Sequence, residues 1–288
     1  MSNTIALAKN YTSLLDEVYR NAAATADLTS DASMCKAGAN ANEIVYPQIS
    51  VGGLGEYDRN AGYTTSAVDL KWATAKFNYD RGTKISVDVM DNEESRNLAF
   101  AQAGATLMRE KVAPEADAFT FATLAGIDGI SKTTGTIESA EQFLDALLTA
   151  WSQMDEDEVP QEDRYLYARV TLLNSIMSLD TTKSREVLAK FKIKKAVPQA
   201  RFYTAIDLLD GKTSGEELGH YKKADTGTNL NFMIVHKPAI IKFDKHVAHN
   251  IIPAKLNPDS DSDIMKYRKY GIVDAYGNKK AGIYCNHE

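Results

Sequence analysis

Between Glu43 and Val89 the chain alternates in a way few folds can accommodate, with large apolar residues on both faces of its strand-like stretches. Ile49 and Val51 lead into the turn Gly52-Gly53-Leu54-Gly55, and Arg59-Asn60-Ala61-Gly62 makes a second break. Successive side chains of a strand point to opposite sides. Val68, Leu70 and Trp72 therefore share one face, while Ala73, Ala75, Phe77 and Tyr79 share the other. Asp80-Arg81-Gly82 predicts a further turn, after which Ile85, Val87 and Val89 alternate again. The pattern is that of a long two-sided β-ribbon, and a lone ribbon is marginal in water. It has to lie on its own domain or on a neighbouring subunit.

Helical periodicity takes over after the ribbon. Asp91 is placed as an N-cap with Glu94 three residues on, and acids in the first turn suit the helix dipole. Leu98, Ala101, Ala105, Met108 and Val112 form one apolar seam, and helix formers continue past Pro114 to Gly126. The spacing predicts one long helix from Asn92 to Ala125, roughly 50 Å at 1.5 Å per residue, bent near Pro114, or else two helices joined there. A second helix opens on the capping box Ser139-Ala140-Glu141-Gln142 and buries Phe143, Leu144, Leu147, Leu148, Trp151 and Met154. Its acidic end, Asp155 to Glu158, reads as a solvated exit. Tyr165 to Val170 reads as a strand, Thr171 to Leu179 as a short helix, and Lys212 to Thr228 as a loop. Strand patterns return at Phe232–Val235, Ala239–Phe243, Asn250–Ile252, Ile264–Val273 and Gly282–Cys285. Near the start, Tyr11, Leu14, Leu15, Val18 and Tyr19 share a helical face, followed by a small-residue stretch from Asn21 to Asn42 that reads as an extended or loosely ordered arm. The class is α+β with long extensions.

The residues do not commit to catalysis. Asp259-x-Asp261-x-Asp263 has calcium-loop spacing, but Ile264 and Tyr270 stand where that loop requires Gly and Glu, so a solvated acidic tip is the expectation. His246 and His249 are three apart and accompanied by neither a zinc-protease motif nor paired cysteines. No nucleophile elbow, phosphate loop or dinucleotide fingerprint occurs, since Gly211-Lys212-Thr213 lacks the earlier glycine. No cofactor is implied. The formal net charge of -6 argues against a tight grip on nucleic acid, whose phosphates call for surplus Lys and Arg. Lys190, Lys192, Lys194 and Lys195 read as a solvated edge. Two cysteines, Cys35 and Cys285, suit a reducing compartment, and no signal peptide or membrane-length apolar run is present.

The stretch from Phe77 through Asp80-Arg81-Gly82-Thr83-Lys84-Ile85-Ser86-Val87-Asp88-Val89 to Glu94 resembles tailed-bacteriophage major capsid proteins, in which an extended two-stranded loop runs into a long spine helix. Asn42-Glu43-Ile44-Val45-Tyr46-Pro47, the run Gly53 to Tyr63, and the run Tyr270 to Tyr284 continue the resemblance in order along most of the chain. The resemblance implies the capsid fold shared with herpesviruses and encapsulins: an N-arm (1–42), an extended β-loop (43–90), a peripheral domain with spine helix and β-arm (91–135 and 246–272), and an axial domain (136–245 and 273–288). It implies self-assembly as hexamers and pentamers into an icosahedral shell that encloses double-stranded DNA without sequence-specific binding. A separate scaffolding protein, a portal and a decoration protein are the expected partners, with no membrane and no catalysis. The expected location is the virion, with assembly in the host cytoplasm. The expected assembly interface takes in Arg59, Trp72, Phe77, Tyr79 and Arg81, with Asp259, Asp261 and Asp263 at the β-arm tip. An encapsulin-like nanocompartment shell is the nearest alternative, and a soluble α+β enzyme using a carboxylate site is the alternative from another class.

Overall fold

A computed structural model describes residues 22–30, 36–37, 42–60, 62–94, 98–179, 181–217 and 219–288. The helical face at Tyr11 to Tyr19 lies outside them. Among the described residues the order begins with a 3₁₀ turn at Ala24–Leu28, then strands β1 (Lys36–Ala37), β2 (Glu43–Val51), β3 (Val68–Lys76) and β4 (Tyr79–Asp88). Helices α1 (Val89–Glu94), α2 (Leu98–Leu107) and α3 (Ala113–Gly126) follow, with a π-turn at Met108–Val112 joining the last two. Next come β5 (Ser131–Thr134), α4 (Ala140–Glu156), β6 (Arg164–Arg169), α5 (Val170–Leu179), α6 (Thr182–Ala189), β7 (Ile193–Val197), β8 (Ile206–Leu208) and β9 (Tyr221–Lys223). Strands β10 (Leu230–His236), β11 (Ile240–Ile252), β12 (Ser262–Ala275) and β13 (Ile283–His287) complete the chain.

The largest core is built on the mixed sheet β5-β13-β10-β6-β7. All seven residues of its central strand β10 are buried. A strand covered on both faces needs a continuous apolar run, and Leu230 to Val235 supplies one with a single polar residue, Asn231. Phe232 and Ile234 pack with Phe143, Leu147, Trp151, Leu172 and Ile176 of α4 and α5. Met233 and Val235 pack on the other side with Phe121 and Leu124 of α3. The Ser139 cap is made as its spacing predicts: Gln142 N–H donates to Ser139 Oγ at 3.2 Å, and the Gln142 side chain accepts from Ser139 N–H at 3.3 Å. The acidic end of α4 is not wholly solvated. The fully buried Arg164 guanidinium lies 4.2 Å from the Trp151 ring centre and donates to Asp155 at 2.7 Å. A buried cation requires such a partner.

A second sheet, β11-β12-β4, is antiparallel throughout. Here the structure differs from the sequence expectation in three ways. Asp80-Arg81-Gly82 is not a turn: these residues lie inside β4, which runs unbroken from Tyr79 to Asp88. Gly82 is a close-approach glycine, since a Cβ there would stand 2.9 Å from the Tyr267 carbonyl oxygen. Strand β4 pairs with β12, from Ser262↔Asp88 to Gly271↔Tyr79, and does not extend the β2–β3 ribbon. The two expected strands Ala239–Phe243 and Asn250–Ile252 are one, β11, which the irregularity between Asp244 and His246 interrupts without ending.

The long helix is also corrected. The chain is helical from Leu98 to Gly126, but the break precedes Pro114 as a π-turn in which Ala113 N–H bonds to Met108 O, five residues back. In a regular helix the Pro114 ring would collide with the Glu110 carbonyl four residues earlier. The wider turn moves that carbonyl aside and lets helix resume at once. The stretch expected as a loose arm is anchored over residues 22–30, where Thr25 and Leu28 are buried. Helix α6, capped by Thr181 and Ser184, and strand β9 lie where no element was expected.

Candidate assembly surface

The ribbon is the hairpin β2–β3, with β1 on its outer edge, paired from Glu43↔Lys76 to Val51↔Val68. This register decides which side chains share a face. Ile44, Tyr46 and Ala75 face inward and pack on Ile241 and Ile272, and Tyr46 meets Tyr276 edge to face at 5.1 Å. These contacts root the ribbon. The opposite face carries the cross-strand pairs Pro47↔Trp72, Ile49↔Leu70 and Val51↔Val68. Its exposures are 62% for Ile49, 64% for Val51, 68% for Val68, 51% for Leu70 and 46% for Trp72. Both strands thus present one apolar stripe to solvent. Beyond it, the loop of residues 52–67 carries a tight Asp58↔Gly62 bridge, exposed Leu54 and Arg59, and the ring pair Tyr57–Tyr63 at 4.8 Å.

Phe77, Tyr79 and Arg81 do not lie on this stripe. Phe77 stacks on Tyr270 at 4.8 Å, and the Lys245 ammonium caps its ring at 4.9 Å. Tyr79 is 5% exposed, packs on Phe119 and donates its hydroxyl to Glu115 Oε1 at 3.2 Å. Arg81 makes a two-pronged pair with Glu115, at 2.7 and 3.2 Å, and reaches the His220 carbonyl at 3.1 Å. His220 Nδ1 stands 3.5 Å from Glu115 Oε2, at the outer limit of a hydrogen bond. Burial works to raise the Glu115 carboxyl, but the contacts from His220 and Arg81 outweigh it and hold the group below its usual range. One carboxylate thus ties β4, α3 and the loop ahead of β9.

Asp259 and Asp261 lie on the connection between β11 and β12, and Asp263 is the second residue of β12. The first two are exposed, while Asp263 Oδ1 accepts from Ala254 N–H at 2.9 Å and closes the turn. The structure therefore collects Trp72 on the apolar stripe and Arg59 near its tip, places the three aspartates at a different projection, and commits Phe77, Tyr79 and Arg81 to contacts within the chain. Among the described residues, no group of three or more His, Cys, Asp or Glu could hold a metal. No helix among them is long and apolar enough to cross a membrane.

No protein-family profile and no curated protein sequence matches the chain. Solved structures do. A chain from Mycobacterium phage Che8 superposes with a TM-score of 0.58 at 15% identity, covering 92% of this chain and 90% of that one. One from the capsid of Cyanophage P-SCSP1u gives 0.57 at 14% identity over 85% and 83%. This chain has the tailed-phage capsid fold. A virus-like particle from Pyrococcus furiosus shares it, with a TM-score of 0.58 at 10% identity over 96% of this chain and 98% of that one.

The ribbon is legible in the sequence, and so is the sharing of one face by Val68, Leu70 and Trp72, but that Ile49 and Val51 join that face is not. Their alternation was visible. What joins them to Leu70 and Val68 is the register, which the sixteen-residue loop hides from a local reading.

Proposed function

We propose that this chain is a capsid subunit: a structural, non-catalytic protein that self-assembles as hexamers and pentamers into an icosahedral shell. The observation that carries the reading is the ribbon's half-exposed apolar stripe on a chain with a capsid fold. Fully burying a Val, Leu or Ile side chain stabilises by about 1.5–3 kcal/mol. These five residues are about half covered already, so a neighbour that covered the rest would gain roughly 1 kcal/mol from each. That gain repeats at every subunit of a closed shell. A monomer leaves the stripe wet. Shell contacts of this class bury several thousand Å² in all.

In this reading residues 1–42 form an N-arm, 43–90 the extended loop, 91–135 with 246–272 a peripheral domain, and 136–245 with 273–288 an axial domain. Arg59 and Trp72 meet the adjacent subunit, and Asp259, Asp261 and Asp263 project toward a more distant one. Phe77, Tyr79 and Arg81 shape the root from which the ribbon reaches that subunit. The shell encloses double-stranded DNA without reading its sequence, in keeping with a net charge of -6. A scaffolding protein, a portal and a decoration protein are its partners, and assembly takes place in the host cytoplasm. The likeness to the Pyrococcus furiosus virus-like particle favours a second reading, an encapsulin-like compartment around protein cargo. Electron microscopy of the full-length chain, alone and co-expressed with its neighbouring reading frames, tests both. Closed shells containing DNA support the first and shells containing an enzyme support the second, while a monomer under every condition overturns both.

A further inference from the structure

Residues 22–30 are held by two buried side chains that the capsid reading does not use. Asp117 of α3 is fully buried and accepts Ala24 N–H at 2.9 Å, Thr25 N–H at 2.9 Å and Thr25 Oγ1 at 2.7 Å. Lys242 of β11 is buried from the other side, and its Nζ donates to Thr25 O at 2.8 Å and Thr25 Oγ1 at 2.6 Å. Ser30 completes the attachment by exchanging hydrogen bonds with the Lys242 backbone at 2.7 and 2.8 Å.

The charge count here is uneven. Asp117 is paired with Arg201 at 3.1 Å, Asp27 with Lys195 at 2.5 Å, and Asp244 with Lys269 at 3.2 Å. Among the described residues each of these carboxylates thus has a cation of its own, and Lys242 is the surplus one. Its hydrogen bonding shows the same imbalance. A neutral amine has two N–H donors, and Thr25 offers two acceptors to match them; an ammonium brings a third donor. We propose that residues 22–30 form a latch that closes on neutral Lys242 and opens when this side chain takes up a proton. Opening frees residues 22–30 from α3 and β11, so proton uptake controls how this segment is held. The latch does not depend on shell formation.

Burial pushes the Lys242 amine down to about 7 from an ordinary 10.5. The closed state therefore sheds its proton near pH 7, whereas an opened, solvated Lys242 keeps it to about 10.5. Between those values the open state binds one more proton, so closure strengthens about tenfold per pH unit as pH rises. Below about 7 both states are charged and the effect levels off.

Hydrogen exchange of the full-length chain, read by mass spectrometry on peptides covering residues 22–30 and corrected for intrinsic exchange, tests the latch. Protection in the wild type is expected to rise about tenfold per pH unit between about 7.5 and 9.5. Lys242→Met, close in length and always neutral, is expected to hold its protection flat over that range. Wild-type protection that does not change with pH overturns the proposal, as does an equal slope in the variant. If the variant fails to fold, titration of the wild-type Lys242 side-chain resonance decides: a midpoint near 7 supports the latch and one near 10.5 overturns it.

Discussion

Glu115 holds three elements through one carboxylate, so its loss is felt beyond its own contacts. Replacing it by Gln keeps the shape but leaves the Arg81 guanidinium, itself mostly buried, without its counter-charge. Breaking such a pair costs about 2–3 kcal/mol in a partly buried setting. Urea unfolding at pH 7 should show Glu115→Gln less stable by about that amount. The acid side gives a sign to check. The Glu115 carboxyl is held below its ordinary 4.5 when folded, so its contribution is complete above about pH 4.5 and fades as pH falls through the lowered value. The variant should therefore lose less stability than the wild type between pH 5 and pH 3, and parallel acid curves would count against this role. Arg81 stands out in the sequence because it sits in a stretch that resembles capsid proteins. Glu115, Asp117 and Lys242 do not stand out, since each is a single polar residue inside an apolar or helical run. Their significance comes from groups far along the chain.

At the scale of elements, what local periodicity governs was legible. The Ser139 capping box, the apolar face of α4 and the buried run of β10 all follow from spacing alone. Strand partners were not, because pairing depends on residues brought together by the whole fold. Strand β4 lies close to β3 in sequence yet pairs with β12, and Gly82 resembled a turn glycine only while that partner was unknown. Its neighbour makes a test possible. A methyl group at Gly82 would press on the Tyr267 carbonyl at 2.9 Å, and a backbone atom in a paired strand cannot swing away. Gly82→Ala should lower stability by about 1–3 kcal/mol. Gly53→Ala, where an added Cβ meets nothing within 4 Å, should stay within about 0.5 kcal/mol of the wild type. Equal denaturation midpoints for the two variants would mean that β4 does not approach β12 as closely as described.

For the whole molecule, the question is why a folded chain keeps five large apolar residues wet on one face of a projecting hairpin. A ribbon needed only for its own domain would be polar outside its root, since surplus exposed apolar surface favours aggregation. Here the root side, Ile44, Tyr46 and Ala75, is satisfied within the chain, while Ile49, Val51, Val68 and Leu70, half or more exposed, leave room for cover from another molecule, and Trp72 keeps 46% of its surface accessible beside them. Stability and assembly should therefore separate under mutation. Ile49→Asp with Leu70→Asp puts two like charges directly opposite each other in the middle of the stripe. Cross-strand repulsion of that kind costs about 1 kcal/mol or less, and neither carboxylate is buried in the lone subunit, so the monomer should fold and unfold much as the wild type does. In a shell the same two charges would be desolvated on a neighbour's surface, at a cost of several kcal/mol at every subunit. Sedimentation and electron microscopy should then show folded subunits or small oligomers and no closed particles. Shells of normal yield and size from the double variant would show that this face of the ribbon makes no essential contact. The acidic tip at Asp259 and Asp261 would then be the next surface to test.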